Sequence, residues 1–554
     1  MKNFIKKIDM KKIFSITLLG SLLLLGASCK KSIDEAYQNP NAPVRVPVNT
    51  LLPQIISAMA ANYAGHGPMN DARYAGAYIQ NWQYYSTNSY FDQMGYNNGA
   101  GDVAQSTWRT HYYDIGQNNQ RMMQWAAEEQ RWDYVGVGKA IEAWGWMLVA
   151  DYYGETIVEN AFNTSMLTFA FNREDTAYAR ILSLCRESLE NLNRTDGQVD
   201  AAYLASGDTY FYNGDVSKWK KFTNGILARY YNHFSNKADY KPDSAIYYAK
   251  AAMQTVDEIA SVKFIGNALS ATNNFYGPRR GNLGGASAAS PTAVRQGDFI
   301  AKLMTGGNAA FPGVSDPRAW YMLRGNANGT IKGVPPVVGQ NALAANDRPE
   351  NFWGVSQVTA SNTAPANDDN CRYIFKNNAP YPVMTPAEMK FIIAEAEYKL
   401  GHRSNALTAY QEGISASFDM LTSVYNLSIP AGKEITPAIK ASFLALPDVV
   451  PANPNDLTLS KIMLQKYIAM FGYGVLETWM DMRRYHYTDL DPETGNQVYT
   501  DFQIPSLFAD NNGEYIYRYY PRYNAERVWN FYELQRIGAT SNNYHTKKLW
   551  IVQP

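Results

Sequence analysis

TPAEMKFIIAEAEYKLGHRSNALTAYQEGISASFDML, residues 385–421, reads as two helices folded back on each other. Thr385 stands before Pro386 and three residues before Glu388, which predicts an N-cap with proline at the first helical position. Met389, Ile392, Ile393, Ala396 and Leu400 then share one face, and Gly401 ends the helix because glycine enters the left-handed conformation without a Cβ penalty. After this tight turn Leu407, Tyr410, Ile414, Phe418 and Leu421 line a second helix. Ala394, Ala396 and Ala406 let the pair approach closely. Such a hairpin buries its apolar faces only by stacking on neighbours, so several are expected and the chain is predicted to be mainly α.

Working outward, the hairpin resembles a tetratricopeptide repeat in part. Val137, Ile141, Trp144 and Leu148 predict an amphipathic helix ending near Tyr153-Gly154. Similar patterns run over about 176–192, 217–234 and 243–259. From about residue 265 to 382 Gly, Asn, Ala and Pro dominate and no helix-length period persists. An irregular stretch of this length is expected to be a functional insertion rather than a connection. Residues 487–523 carry hairpin-like turns at Asp491-Pro492-Glu493-Thr494-Gly495 and Asn511-Asn512-Gly513, which predicts a few short β-hairpins.

The N-terminus has its own character. Lys2, Lys6, Lys7, Lys11 and Lys12 precede an apolar run from Ile13 to Leu25, then Gly26-Ala27-Ser28 and Cys29. The run is shorter than the ~20 residues that span a bilayer, so it is expected to be a cleaved export signal. The small residues before one cysteine resemble a bacterial lipoprotein processing site, with Gly26 where leucine is usual. The organisation expected is a signal over 1–28, a lipidated Cys29 with a tether over 29–50, and a single helical domain over 51–554. Removing residues 1–28 takes away five Lys and one Asp and leaves 45 basic against 49 acidic residues, a formal −4. No basic field for nucleic acid remains. Past Cys29 only Cys185 and Cys371 are left, too few for a disulfide framework; two buried free thiols are preferred over a pair.

Candidate chemistry is sparse. Glu477 and Asp481 are four apart on a predicted helix, with Arg483 and Arg484 beside them, which points to structural ion pairing rather than to carboxyls facing each other across a sugar. Asp489, Asp491 and Glu493 suggest a calcium loop, but Gly495 and Thr500 fall where such a loop needs other residues, and a turn with left-handed Gly495 explains them. The six His show no metal-ligand spacing. Neither a nucleophile elbow nor a phosphate-cradling loop is present, so no catalytic residue, metal or cofactor is expected. What remains is a polar-aromatic surface of the kind that holds sugars. Within residues 78–97 Trp82, Tyr85 and Tyr90 are its candidates, interleaved with amides; Trp82 and Tyr85, three apart, fit a core stripe equally well. Tyr276, Trp320 and Trp353 lie in the irregular insertion, where no helical stripe claims them.

These pieces together resemble the SusD/RagB group of nutrient-binding outer-membrane lipoproteins. The likeness is carried by Asn39-Pro40-Asn41, Leu51-Leu52-Pro53, Asp151-Tyr152-Tyr153-Gly154-Glu155-Thr156 and Thr385-Pro386-Ala387-Glu388 with Ala394-Glu395-Ala396. Gln465-Lys466-Tyr467-Ile468-Ala469, Trp479-Met480-Asp481-Met482-Arg483-Arg484 and Tyr520-Pro521-Arg522-Tyr523 complete the ordered set. Glu155-Thr156-Ile157 departs from the acidic-Val-Pro common in the family, and Glu526 lacks the usual Pro-Thr before it. The resemblance implies a helical scaffold of tetratricopeptide-like hairpins with ligand-binding loops. It implies a SusC-like, TonB-dependent transporter as partner in the outer membrane, and oligosaccharides as ligands, with peptides in some branches. Two other classes fit a helical, aromatic-rich chain: a polysaccharide-degrading enzyme and a pure assembly scaffold.

Overall fold

Long apolar-faced segments joined by turns fold into helices that pair along the chain. A computed structural model describes residues 45–60, 68, 70–87, 89–96, 104–266, 293–356, 365 and 367–554. Residues Val48–Pro554 form a compact unit. Its main helices are α1 (Trp132–Tyr153), α2 (Glu174–Leu192), α3 (Val216–His233), α4 (Pro242–Ala251), α5 (Pro386–Lys399), α6 (Arg403–Val424), α7 (Leu459–Ala469) and α8 (Val475–Arg484). α1 packs on α2, α3 on α4 and α5 on α6, and the pairs stack through α2 on α3 and α4 on α5. α7 lies against α5 and α6, and α8 against α1, α3 and helix Asn70–Tyr78. The protein is mainly α, as the pattern requires.

The helix ends follow local chemistry. Thr385 Oγ1 accepts the Glu388 N–H at 3.4 Å with Pro386 behind it, and Asp215 and Thr458 cap α3 and α7 in the same way. Gly401, just after α5, has φ +78°, the left-handed turn expected there. Within the hairpin a Cβ on Gly413 would stand 3.0 Å from the Phe391 ring, so this glycine lets α6 close on α5. Two expectations are corrected. α5 does not bury a single face: from Pro386 to Tyr398 nearly every residue is buried, because α4, α6 and α7 surround it. The helix expected to reach Ile259 ends at Ala251, where the Gln254 amide donates to the carbonyls of Ala249, Ala252 and Met253 and closes the last turn.

Among the described residues four short strands complete the frame: β1 (Trp82–Tyr84), β2 (Ala260–Val262), β3 (Val294–Gln296) and β4 (Tyr381–Met384). β1 runs antiparallel to β3, with Trp82 opposite Gln296, and β2 antiparallel to β4. The turn at 491–495 forms as expected around a bridge between Leu490 and Gln497, with Gly495 at φ +69°. Asp491 is consumed there: its carboxylate accepts the backbone N–H groups of Glu493 and Ser460 at 3.0 and 3.3 Å.

The described part of the 265–382 insertion is more ordered and more deeply buried than its composition suggests. It contains β3 and a helix, Asp298–Thr305, and sends Phe299, Leu303, Phe311, Phe352, Trp353 and Phe375 into the core. Side chains replace the missing ladders. Gln296 bonds the backbone of Arg324 and Lys332, Arg324 that of Asn370, and Asn351 Oδ1 accepts from Trp353 and Val355. Each satisfies backbone groups that burial would otherwise penalise. Cys185 and Cys371 are buried free thiols. Among the described residues no helix is long and apolar enough to cross a membrane.

Candidate ligand-binding surface

The residues singled out for ligand contact divide sharply. Trp82 has no exposed surface. Its indole lies where a Cβ on Gly76 would stand 2.1 Å from the ring, and its N–H donates to the Arg73 carbonyl at 2.8 Å. Only glycine at 76 admits that packing. Trp353 is equally buried. The two indoles flank one aromatic cluster: Trp82 meets Phe352 edge-on at 6.3 Å, Phe352 stacks on Phe375 at 4.7 Å, and Phe375 meets Trp353 at 5.9 Å. Their assignment to a ligand surface is therefore corrected, since neither ring has a face left to offer. Trp320 is half-buried, with Gly325 against its edge and the Lys433 ammonium 4.7 Å from its ring centre. Tyr276 and Cys29 lie outside the described residues.

Tyr85 and Tyr90 remain half-exposed, and Tyr84, which its spacing alone does not single out, joins them. Pairing of β1 with β3 sets this strip. The Tyr85 N–H donates to the Ala293 carbonyl and its carbonyl accepts from Gln340, each at 2.8 Å, so three distant segments meet at one residue. Gly339, at φ +78°, passes so close to the Ser86 carbonyl that a Cβ would come within 2.6 Å. Tyr84 and Tyr85 meet edge-to-face at 5.0 Å, and the Arg295 guanidinium lies 6.0 Å from the Tyr85 ring. Below them Asp92, buried and accepting the Tyr84 N–H at 3.2 Å, is pushed up to about 8 by burial. The result is a pair of half-exposed rings on a backbone fixed by its neighbours, with hydroxyls at their tips, in a segment that continues into exposed Thr87. Flat rings of this kind suit the C–H faces of sugars, and their hydroxyls suit a wet contact.

The conspicuous charges on α8 face inward. Asp481 pairs with Arg484 at 2.6 Å and Lys466 at 2.7 Å, while Glu477 meets His233 at 3.1 Å and Arg229 at 3.6 Å. Arg484 also grips Glu395 at 2.6 Å, and Arg229 grips Glu388 at 2.5 Å. Burial opposes ionisation of Glu477, but His233 and Arg229 outweigh it and hold the carboxyl well below the usual carboxylate range. This is structural ion pairing, as the spacing on α8 indicated.

Known proteins share this fold. Over residues 40–509 the chain matches the SusD-like family, described as starch-binding and associating with the outer membrane. No curated protein sequence matches it. A SusD/RagB family protein from Bacteroides thetaiotaomicron superposes with a TM-score of 0.69 at 18% identity, covering 92% of this chain and 99% of its own. A SusD homolog from Bacteroides fragilis gives 0.65 at 18% identity, with 92% and 100% covered. A chitin-binding protein gives 0.64 at 18% identity, again with 92% and 100% covered. Stacked helical hairpins and a family match over most of the sequence place the chain in the SusD-like family of outer-membrane-associated proteins.

Proposed function

We propose that the chain is a non-catalytic surface lipoprotein that binds nutrient oligosaccharides and passes them to a SusC-like, TonB-dependent transporter. The observation that carries this reading is the SusD-like match over residues 40–509. On this reading residues 1–28 are the export signal, Cys29 bears the lipid and the tether runs up to residue 47, since Val48 already belongs to the compact unit. Acyl chains contribute about 0.8 kcal/mol per buried CH₂, so a multiply acylated cysteine holds a soluble body stably at a membrane. Tyr84, Tyr85 and Tyr90 form the contact strip, and Trp320 and Tyr276 are further contacts. The chitin-binding neighbour favours a glycan over the peptide ligand that is the alternative within the same family. Absence of catalysis is supported by the fate of Glu477 and Asp481. A glycosidase needs two carboxyls opposed across the sugar, and these two are buried among cations.

A panel of starch and chitin oligosaccharides beside a peptide panel tests this on the full chain. Oligosaccharides are expected to bind and to be recovered intact. Tyr85→Ala is expected to weaken binding roughly 5- to 150-fold, the range for losing an aromatic anchor, without changing the melting temperature. Binding by peptides alone would support the alternative; no binding to either, or an unaffected Tyr85→Ala, overturns the assignment.

A further inference from the structure

A second cleft, of about 310 Å³, shares no residue with the Tyr84–Tyr85 strip. Three segments build it. The first is a π-helical turn, Thr110–Asp114, carrying Tyr112 and Tyr113. The second is the loop that supplies Phe162 and Phe169, and the third is another π-helical turn, Tyr523–Arg527, carrying Glu526. π-turns are rare and concentrate at functional sites, because the extra residue re-aims side chains at the cost of regular hydrogen bonds. Here two of them face one cavity.

The cleft's chemistry is specific. Glu526 is only 7% exposed; burial pushes its carboxyl up to about 7, and it accepts from the Asn530 amide at 3.0 Å. A carboxyl group ionised at or above that value offers about four acceptor positions, so one donor leaves capacity for a ligand's hydroxyls. A position serving only packing would favour an apolar side chain, since burying a carboxylate is costly. Around it stand rings in fixed poses. The Tyr112 hydroxyl donates to the Ile157 carbonyl at 2.9 Å and accepts the Ile157 N–H at 3.1 Å, which locks its plane. Phe162 is held at φ +64°, a conformation that bulky residues rarely adopt. Tyr113 is 68% exposed at the mouth. The same asparagine that holds Glu526 also fixes the opposite wall: Asn530 accepts the Phe169 N–H and donates to its carbonyl at 3.2 and 2.7 Å.

We infer that this cleft is a second saccharide subsite, taking one pyranose-sized ring between Tyr112, Tyr113 and Phe162 with Glu526 accepting its hydroxyls. Its volume lies at the lower end for small-ligand pockets, which fits a single ring better than an extended chain. The inference rests on the glycan reading above. Two sites on one chain would let a branched or long oligosaccharide bind at both, with an effective concentration gain over either alone.

The test is saturation-transfer NMR on full-length Tyr85→Ala chain with glucose and N-acetylglucosamine as single-ring probes and N-acetylphenylalaninamide as the competing chemistry. A sugar signal is expected in this background, falling at least about five-fold when Tyr113→Ala or Glu526→Gln is added. Tyr113 is exposed, so its truncation tests contact without disturbing the core, and a melting curve checks Glu526→Gln. No sugar signal in the Tyr85→Ala chain, a signal indifferent to both cleft variants, or response to the amide alone overturns the subsite. If wild type still binds oligosaccharides in the panel, only the subsite falls; if it binds none, both readings fall.

Discussion

An indole without solvent contact can hold a fold but cannot stack on a ligand, and Trp82 and Trp353 are both in that position. Each packs toward the Phe352–Phe375 pair, so truncation opens a cavity in a shared aromatic cluster. Trp82→Ala and Trp353→Ala are each expected to lower stability by about 3–5 kcal/mol and to leave oligosaccharide affinity near wild type. Denaturant titration beside ligand binding checks this; a variant with wild-type stability and lost affinity would return that indole to the ligand surface. Trp82 was legible as core in part, through its spacing from Tyr85. The burial of Trp353 was not, because periodicity detects only regular elements, and an irregular stretch reads as surface. A local signal did exist: Asn351 precedes Trp353 by two residues and Val355 by four, and its side chain accepts both N–H groups, an Asx-type turn that lets non-helical backbone enter a core. Gly76, which admits the Trp82 ring, gave no warning, since close approach by a neighbour leaves no mark in spacing.

At the scale of elements, the α5–α6 hairpin was legible almost to its ends, because capping and turn chemistry are local. The same holds for α1, α2 and α3. The environment of α5 was not legible. Glu388, Glu395 and Glu397 would be expected at the surface from residue type alone, yet all three are buried, and the first two are neutralised by Arg229 of α3 and Arg484 of α8. Those partners lie about a hundred or more residues away, beyond any helical period. Tyr85 and Tyr90 were legible as candidates, but what holds the strip was not: the Tyr85 backbone pairs with Ala293 and Gln340, two segments that meet it only in the fold. The cap itself is testable. Thr385 Oγ1 serves Glu388 N–H and also lies 3.1 Å from the Tyr473 hydroxyl. Thr385→Ala is expected to cost about 0.5–2 kcal/mol, and Thr385→Ser to restore most of it, since serine caps as well as threonine. Equal losses in the two variants would assign the effect to the threonine methyl rather than to the cap.

Across the whole molecule, one buried ionic network ties helices from the first hairpin to the last, and its state is set by a proton on His233. Tyr178 carries one hydroxyl proton and gives it to Asp151 at 2.6 Å, so at its 3.2 Å contact with His233 Nδ1 the phenol oxygen accepts. The other ring nitrogen, Nε2, faces the Glu477 carboxylate oxygens, both at 3.1 Å, and must donate as well. Two donating nitrogens mean an imidazolium. Burial alone would lower the pKa of this ring, but the negative charges of Glu477 and Asp151 outweigh it and raise the value above its ordinary one. The sign follows from linkage. A cationic group with a raised folded pKa gives stability that is fully present below the unfolded value of about 6.5 and is lost as pH climbs through the folded value. His233→Gln keeps a hydrogen-bonding group but not the charge, leaving Glu477 and Asp151 short of one cation. Its cost is expected to approach the roughly 3–5 kcal/mol of a broken buried pair below the unfolded value and to shrink steadily as pH rises above it, as wild type loses the same proton. Denaturant melts of both chains across that range measure the difference directly. A cost that does not change with pH would mean that His233 is neutral and that Arg229 and Lys466 alone balance Glu477.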